Sequence, residues 1–139
     1  MKDKLAGVHP DLVARVLKIC SAMAALGYPM MVTDGVRTDA EQIALYAQGR
    51  TTPGKVVTQL DGMTGRSKHQ IRADGYGRAV DCCFMIHGLP SWDPTLPWNL
   101  YGAMAKQLGL EWGGAWVTFA DKPHIELPER RKSDPQAAP

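Results

Sequence analysis

The residues of this 139-residue chain best suited to chemistry are its four histidines, Asp81, and a short run that holds Asp121 and Glu126. Catalytic zinc sites draw three protein ligands from His, Asp, Glu and Cys and keep the fourth position for water. His9 precedes a helix start, where a turn or capping role suits it. His87 stands before Gly88 at a strand end and reads as a surface loop residue. His69 lies in a glycine-rich loop, just after Ser67. His124 follows Pro123, with Asp121 before it and Glu126 after it. Asp81 interrupts the apolar run AVDCCFMI, where an ionised carboxylate is costly unless it is paired or bound to a metal. Gathering His69, Asp81 and His124 around one ion would neutralise that carboxylate and leave a coordination position open. Asp121 is then close enough in sequence to His124 to reach a water there, first as general base and then as general acid. A salt bridge between Asp81 and a nearby arginine is the competing account.

The elements that must position these groups follow from periodicity and punctuation. Residues 10–26 read as a helix. Pro10 suits its first turn and Asp11 the positive end of its dipole. Leu12, Val13, Val16, Leu17, Cys20, Met23 and Ala24 recur at helical spacing, and Gly27 is the stop. Met30–Val36 reads as a short strand. Thr38-Asp39-Ala40-Glu41 is a capping box that opens a second helix ending at Gly49, with Ile43, Ala44, Leu45 and Ala47 as its apolar positions. Residues 50–78 are mostly irregular, with a short strand expected at Lys55–Thr58, and residues 88–97 read as a second loop. A loop as long as the first one is often functional. Ala79–Ile86 is a buried strand, and residues 97–108 form a third helix stopped by Gly109. Glu111–Gly113 and His124–Leu127 are short strands around a turn. Helices and strands mix without a β-α-β rhythm, which predicts an α+β fold over an antiparallel sheet. The expected domain spans 1–128, and 129–139 are expected to be a disordered tail.

Composition bounds the function classes. Sixteen basic against 14 acidic residues leave a formal charge of +2, too balanced for a nucleic-acid binder. The cluster Arg130, Arg131 and Lys132 reads as a solvated tail. Cys20, Cys82 and Cys83 are odd in number and lack framework spacing, so no disulfide scaffold is expected. Cys82 and Cys83 should point to opposite faces of their strand. Residues 1–9 have no apolar segment of the signal-peptide kind, and no run approaches a membrane span, so synthesis and retention in the cytoplasm are expected.

Three motifs, in order, carry a resemblance: Ser67-x-His69, Gly77-x-Ala79-Val80-Asp81, and Asp121-x-Pro123-His124-Ile125-Glu126. They resemble the zinc peptidases that act on peptidoglycan stem peptides. That family takes in D-alanyl-D-alanine carboxypeptidases and dipeptidases, and the L-alanyl-D-glutamate endopeptidases used as phage endolysins. His9-Pro10-Asp11-Leu12, Gly35-x-Arg37-Thr38 with Glu41-Gln42 and Leu45-Tyr46, and Leu108-Gly109-Leu110-Glu111-Trp112-Gly113-Gly114 with Trp116 extend the likeness over most of the chain.

The resemblance implies a small antiparallel sheet with helices packed against it, of the hedgehog and D,D-peptidase kind. It implies one Zn²⁺ on His69, Asp81 and His124, with Asp121 as the catalytic carboxylate. Arg37 would hold a substrate carbonyl or the developing oxyanion, and Ser67 would hydrogen-bond substrate or support a ligand. Glu126 would orient a ligand, or else be an outward strand residue. The implied function is zinc-dependent hydrolysis of a stem-peptide bond, foremost L-alanyl-D-glutamate cleavage. A D-Ala-D-Ala or L,D-carboxypeptidase and a non-catalytic zinc-binding module are the alternatives. The implied partner is the stem peptide, met by a monomer that reaches the wall after release, with a holin as the route in a phage. One departure stands out. Gln70–Tyr76, seven residues, separate His69 from Gly77, where the family usually has two. This insertion could form a flap over the site, and Asp74 within it could be a substitute ligand.

Overall fold

The computed structural model describes residues 3–129. The chain order is α1 (Pro10–Ala25), β1 (Met30–Asp34), α2 (Asp39–Ala47), β2 (Ala79–Ile86), β3 (Leu89–Ser91), α3 (Trp98–Gln107), β4 (Glu111–Trp112), a 3₁₀ turn (Gly113–Ala115) and β5 (His124–Glu126). The strands form one antiparallel sheet in the order β1-β2-β5-β4, with β3 paired to β2. The expected α+β class and antiparallel sheet are therefore present. Of the expected tail, Glu129 is described and pairs with Arg72; residues 130–139 lie outside the described residues.

The caps follow the sequence closely. His9 closes the start of α1 by accepting from Asp11 N at 3.1 Å, the capping role expected for it. Thr38 and Glu41 form the reciprocal box at α2, with both bonds at 3.1 Å. The core gathers on one side of the sheet, where Leu12, Val16, Ile19 and Met23 of α1 meet Val80, Cys82 and Phe84 of β2 and Trp98, Tyr101 and Ala105 of α3. Each large apolar side chain there contributes roughly 1.5–3 kcal/mol by leaving water. Cys82 and Cys83 are both buried, so β2 is covered on both faces at that point, and the three cysteines are free thiols.

Three expectations need correction. Lys55–Thr58 forms no strand; it finds no partner strand, and the Lys55 carbonyl accepts from Gln48 Nε2 instead. The stretch read as a loop at 88–97 begins with β3. His87 and Gly88 both adopt positive φ, 51° and 77°, between paired Ile86 and Leu89. That geometry is a two-residue hairpin turn of the type that matches strand twist, and Pro90 is tolerated because β3 pairs on one side only. Finally, α2 buries Gln42 rather than its apolar residues; Ile43 is exposed. Its anchor is polar: Gln42 Nε2 donates to Leu60 O at 2.8 Å, and Gln42 Oε1 accepts from Arg37 at 2.6 Å.

Candidate active site

Strand pairing brings the centre together. Asp81 of β2 lies directly opposite His124 of β5 in register, and opposite Asp34 of β1 on its other edge. Alternation does the rest: Val80 and Cys82 turn into the helical core, so Asp81 turns to the other face. His69 arrives from the long loop. Its Nε2 stands 3.4 Å from Asp81 Oδ1, and His124 Nδ1 stands 3.3 Å from the same oxygen. The three candidate ligand atoms all lie within 4.8 Å of one another. No arginine pairs with Asp81, so the salt-bridge account of its burial fails among the described residues.

Each imidazole is aimed from behind. His69 Nδ1 donates to Gly35 O at 2.8 Å, and His124 Nε2 donates to Glu126 Oε1 at 2.7 Å. Those far-side acceptors set the tautomers, so that in the neutral imidazoles the two nitrogens facing Asp81 carry the lone pairs. Asp81 Oδ1 is itself buried and accepts no hydrogen bond. Three electron pairs thus converge on one point, which a cation resolves, and a set of two imidazoles and a carboxylate suits zinc with one position open.

Without a metal, the same convergence draws in a proton. Burial opposes charge on His124, yet the carboxylates of Asp81 and Glu126 outweigh it and raise its pKa to about 9. Burial likewise opposes charge on Asp81, but the two imidazoles hold its carboxyl well below the usual range.

The segment 121–124 is pinned at nearly every peptide. Asp121 N donates to Gly113 O at 2.9 Å, Trp112 Nε1 to Lys122 O at 2.7 Å, and Tyr101 Oη to Pro123 O at 2.7 Å. Gly113 is required by this close approach: a Cβ there would sit 2.4 Å from Asp121 O and 3.0 Å from His124 Cβ. Asp121 is half-buried beside these three residues. Burial first, and then the negative charge of Asp81, raise its pKa above the ordinary carboxylate value, the direction a general base needs.

Arg37 is held by Asp34 Oδ2 at 2.5 Å and by Gln42, and its own N–H donates to His69 O at 2.9 Å. Ser67 is buried; its Oγ accepts from His69 N at 3.2 Å. Arg37, Ser67, His69, Asp81, Asp121 and His124 all line one cleft of about 540 Å³, a size that suits a peptide-like ligand. The cleft walls add residues that sequence reasoning left out. Val57, Thr58, Gln59 and Leu60 form one lip, and Trp116, Phe119 and Ala120 the other. Of the two tryptophans weighed as groove residues, Trp112 is core, while Trp116 is 37% exposed with its ring 4.9 Å from that of His124. Exposed apolar side chains in a turn-rich stretch were the available signal.

The insertion does not act as a flap. Gln70 is buried under the ligand loop, where its Oε1 accepts from Ser67 N at 2.7 Å and its Nε2 donates to Asp39 Oδ1 and Gly62 O, both at 3.0 Å. The rest turns away from the cleft: Asp74 pairs with Arg78, and Tyr76 packs edge-on against His9. Asp74 is therefore no substitute ligand. Glu126 is a buried partner of His124 rather than an outward strand residue.

Known proteins share both the sequence and the shape. The sequence profile of a family described as D-alanyl-D-alanine carboxypeptidase matches residues 61–127. The peptidoglycan L-alanyl-D-glutamate endopeptidase CwlK of Bacillus subtilis is 36% identical over 129 residues, 86% of this chain and 73% of that protein. The chain belongs to this peptidoglycan peptidase family. An L-alanyl-D-glutamate peptidase of Listeria phage A118 is 29% identical over 73% of this chain and 31% of its own length. The crystal structure of the L-Ala D-Glu endopeptidase ChiX of Serratia marcescens superposes with a TM-score of 0.58 and 31% identity, covering 90% of this chain and 84% of that one. Peptidases of the family are zinc-dependent, so the protein is a peptidoglycan-hydrolysing metallopeptidase, and its His-Asp-His group is a fitting place for the metal. Among the described residues of this peptidase, no helix is long and apolar enough to cross a membrane.

Proposed function

We propose that this peptidase cuts the L-alanyl-D-glutamate bond of the stem peptide, using one zinc ion held by His69, Asp81 and His124. The observation that carries the metal reading is the orphaned Asp81 oxygen between two imidazoles whose far nitrogens are already committed. When bound there, zinc supplies Lewis acidity, which makes water a competent nucleophile near neutral pH and polarises the scissile carbonyl. Asp121 takes the proton of the attacking water and returns it to the departing amine; its raised pKa favours the first of these transfers. Arg37, fixed by Asp34 and Gln42, offers a positioned charge to the scissile carbonyl as negative charge develops on its oxygen. Ser67 supports the loop that carries His69 and presents its hydroxyl to the cleft. The aromatic and aliphatic lips exclude water and hold the peptide backbone between them.

The bond assignment is supported by CwlK and ChiX, whose names state that specificity and whose chains this one matches over most of its length. The family description favours a second reading, a D-Ala-D-Ala or L,D-carboxypeptidase. That activity needs a cation for the free terminal carboxylate. Among the cleft-lining residues Arg37 is the one guanidinium or ammonium, and the mechanism above assigns it to the scissile carbonyl. The reading also includes a monomer acting at the cell wall, reached in a phage setting through a holin lesion. Digestion of purified peptidoglycan with the zinc-loaded protein, followed by mass spectrometry of the new termini, is the test. New N-terminal D-glutamate is expected. Release of free D-alanine instead would transfer the assignment to the carboxypeptidase, and no hydrolysis would leave a non-catalytic zinc module.

A further inference from the structure

Lys68 is a half-buried cation that takes no part in the mechanism proposed above. Lys68 sits between Ser67 and the candidate ligand His69, and its side chain runs inward, 19% exposed. Its Nζ forms an ion pair with Glu126 Oε2, whose side chain is 7% exposed, and donates to Leu127 O at 3.0 Å. The other oxygen of the same carboxylate, Oε1, accepts from His124 Nε2 at 2.7 Å. The backbone of Lys68 is tied as well: its carbonyl accepts from Arg78 N at 2.7 Å, at the approach to β2. One residue therefore touches the loop that carries His69, the entry to the strand that carries Asp81, and the partner of His124.

We propose that Lys68 is a positioning residue for the metal: by holding one oxygen of Glu126, it keeps the other on the His124 ring and so keeps His124 Nδ1 aimed at His69 and Asp81. This rests on the reading that those three residues bind zinc. A carboxylate can swing about its terminal bond, and one hydrogen bond to an imidazole does not fix it. Buried without a cation, it turns toward water. The imidazole then loses the acceptor that sets its tautomer and its angle. The outer neighbour Glu129 stands 4.0 Å from Lys68 Nζ, is 61% exposed, and already pairs with Arg72. Water screens that contact, so it contributes little.

The test is zinc affinity of the full chain, measured by competition between the metal-free protein and a chromophoric chelator for Zn²⁺ alone, below the melting temperature of every variant. Lys68→Met keeps the stem and removes the charge, and should weaken zinc binding roughly 10- to 100-fold, the usual loss when a partner behind a ligand is removed. Lys68→Arg should restore most of the affinity. Glu129→Gln should stay within about twofold of the unaltered protein, as a screened surface pair would. In a Glu126→Gln background, Lys68→Met should cost no further affinity, because its effect passes through Glu126. Should the methionine variant not fold, Lys68→Gln carries the same comparison. Unchanged affinity in K68M, failure of arginine to rescue, a loss in E129Q equal to that in K68M, or full additivity with E126Q would each overturn the proposal. If the unaltered protein itself takes up no zinc, the metal reading has failed, a result distinct from any of these.

Discussion

The back wall of the cleft and its two lips are built on opposite principles. At the back, β2 and β5 place Asp81 against His124, and Gly35, Glu126, Tyr101 and Trp112 tie down the two imidazoles and the backbone beside them. At the rim, Val57 and Leu60 stand exposed on one side, and Trp116 and Phe119 on the other. Phe119 holds a left-handed backbone, φ 53°, uncommon for a bulky residue and typical of functional loops. A metal site must be held to a fraction of an ångström, and here two of the three candidate ligands sit on paired strands while the third, on a loop, is tied by Gly35 and Ser67. A peptide is gripped through apolar area and tolerates adjustment, so its contacts sit on loops.

That contrast is open to direct attack. The largest effect belongs to the back wall: His124→Ala should end stoichiometric zinc uptake and leave no measurable wall digestion, read by metal analysis and a turbidity assay. Retained zinc would show that the ligand set is wrong. Next, Asp121→Asn should keep zinc bound while turnover falls roughly 10²- to 10⁴-fold, the span of general acid–base catalysis. A variant with near-normal turnover would move the proton-handling role elsewhere.

Acidity gives the third test. His124 keeps its proton up to about pH 9 in the metal-free protein, so at neutral pH zinc must displace it. Affinity should rise with pH, about tenfold per unit for one proton released, and level off above about pH 9. Affinity that is flat between pH 6 and pH 8 would contradict the geometry around His124.

The smallest effect belongs to the rim. Trp116→Ala should remove about 1 kcal/mol of apolar contact, raising KM roughly fivefold with kcat nearly unchanged. A fall in kcat with normal KM would mean that Trp116 acts on His124, whose ring lies beside it, rather than on the peptide.

Much of the scaffold was legible in the chain. The capping box at Thr38, Pro10 at a helix start, and an apolar strand broken by one aspartate are local signals, and local signals survive in sequence. Elements whose identity depends on a distant partner were not legible. Lys55–Thr58 has strand-like residues and no strand to pair with, while Leu89–Ser91 has a proline and still pairs with β2. Helix α2 looked amphipathic, but its anchor is Gln42, a polar residue whose partners Arg37 and Leu60 come from loops on either side. The insertion after His69 gave no clue to its direction, because Gln70 is held by Ser67, Asp39 and Gly62, contacts that exist only after folding.

The sequence by itself determined which side chains could bind a metal or move a proton, since residue type and motif order are written along the chain. Tertiary structure alone decided that Asp81 and His124 face each other across a strand pair, that both imidazoles turn a nitrogen toward Asp81, and that Lys68 stands behind Glu126. Those are relations between groups far apart in the chain, set by register and by the polar contacts each buried group must find.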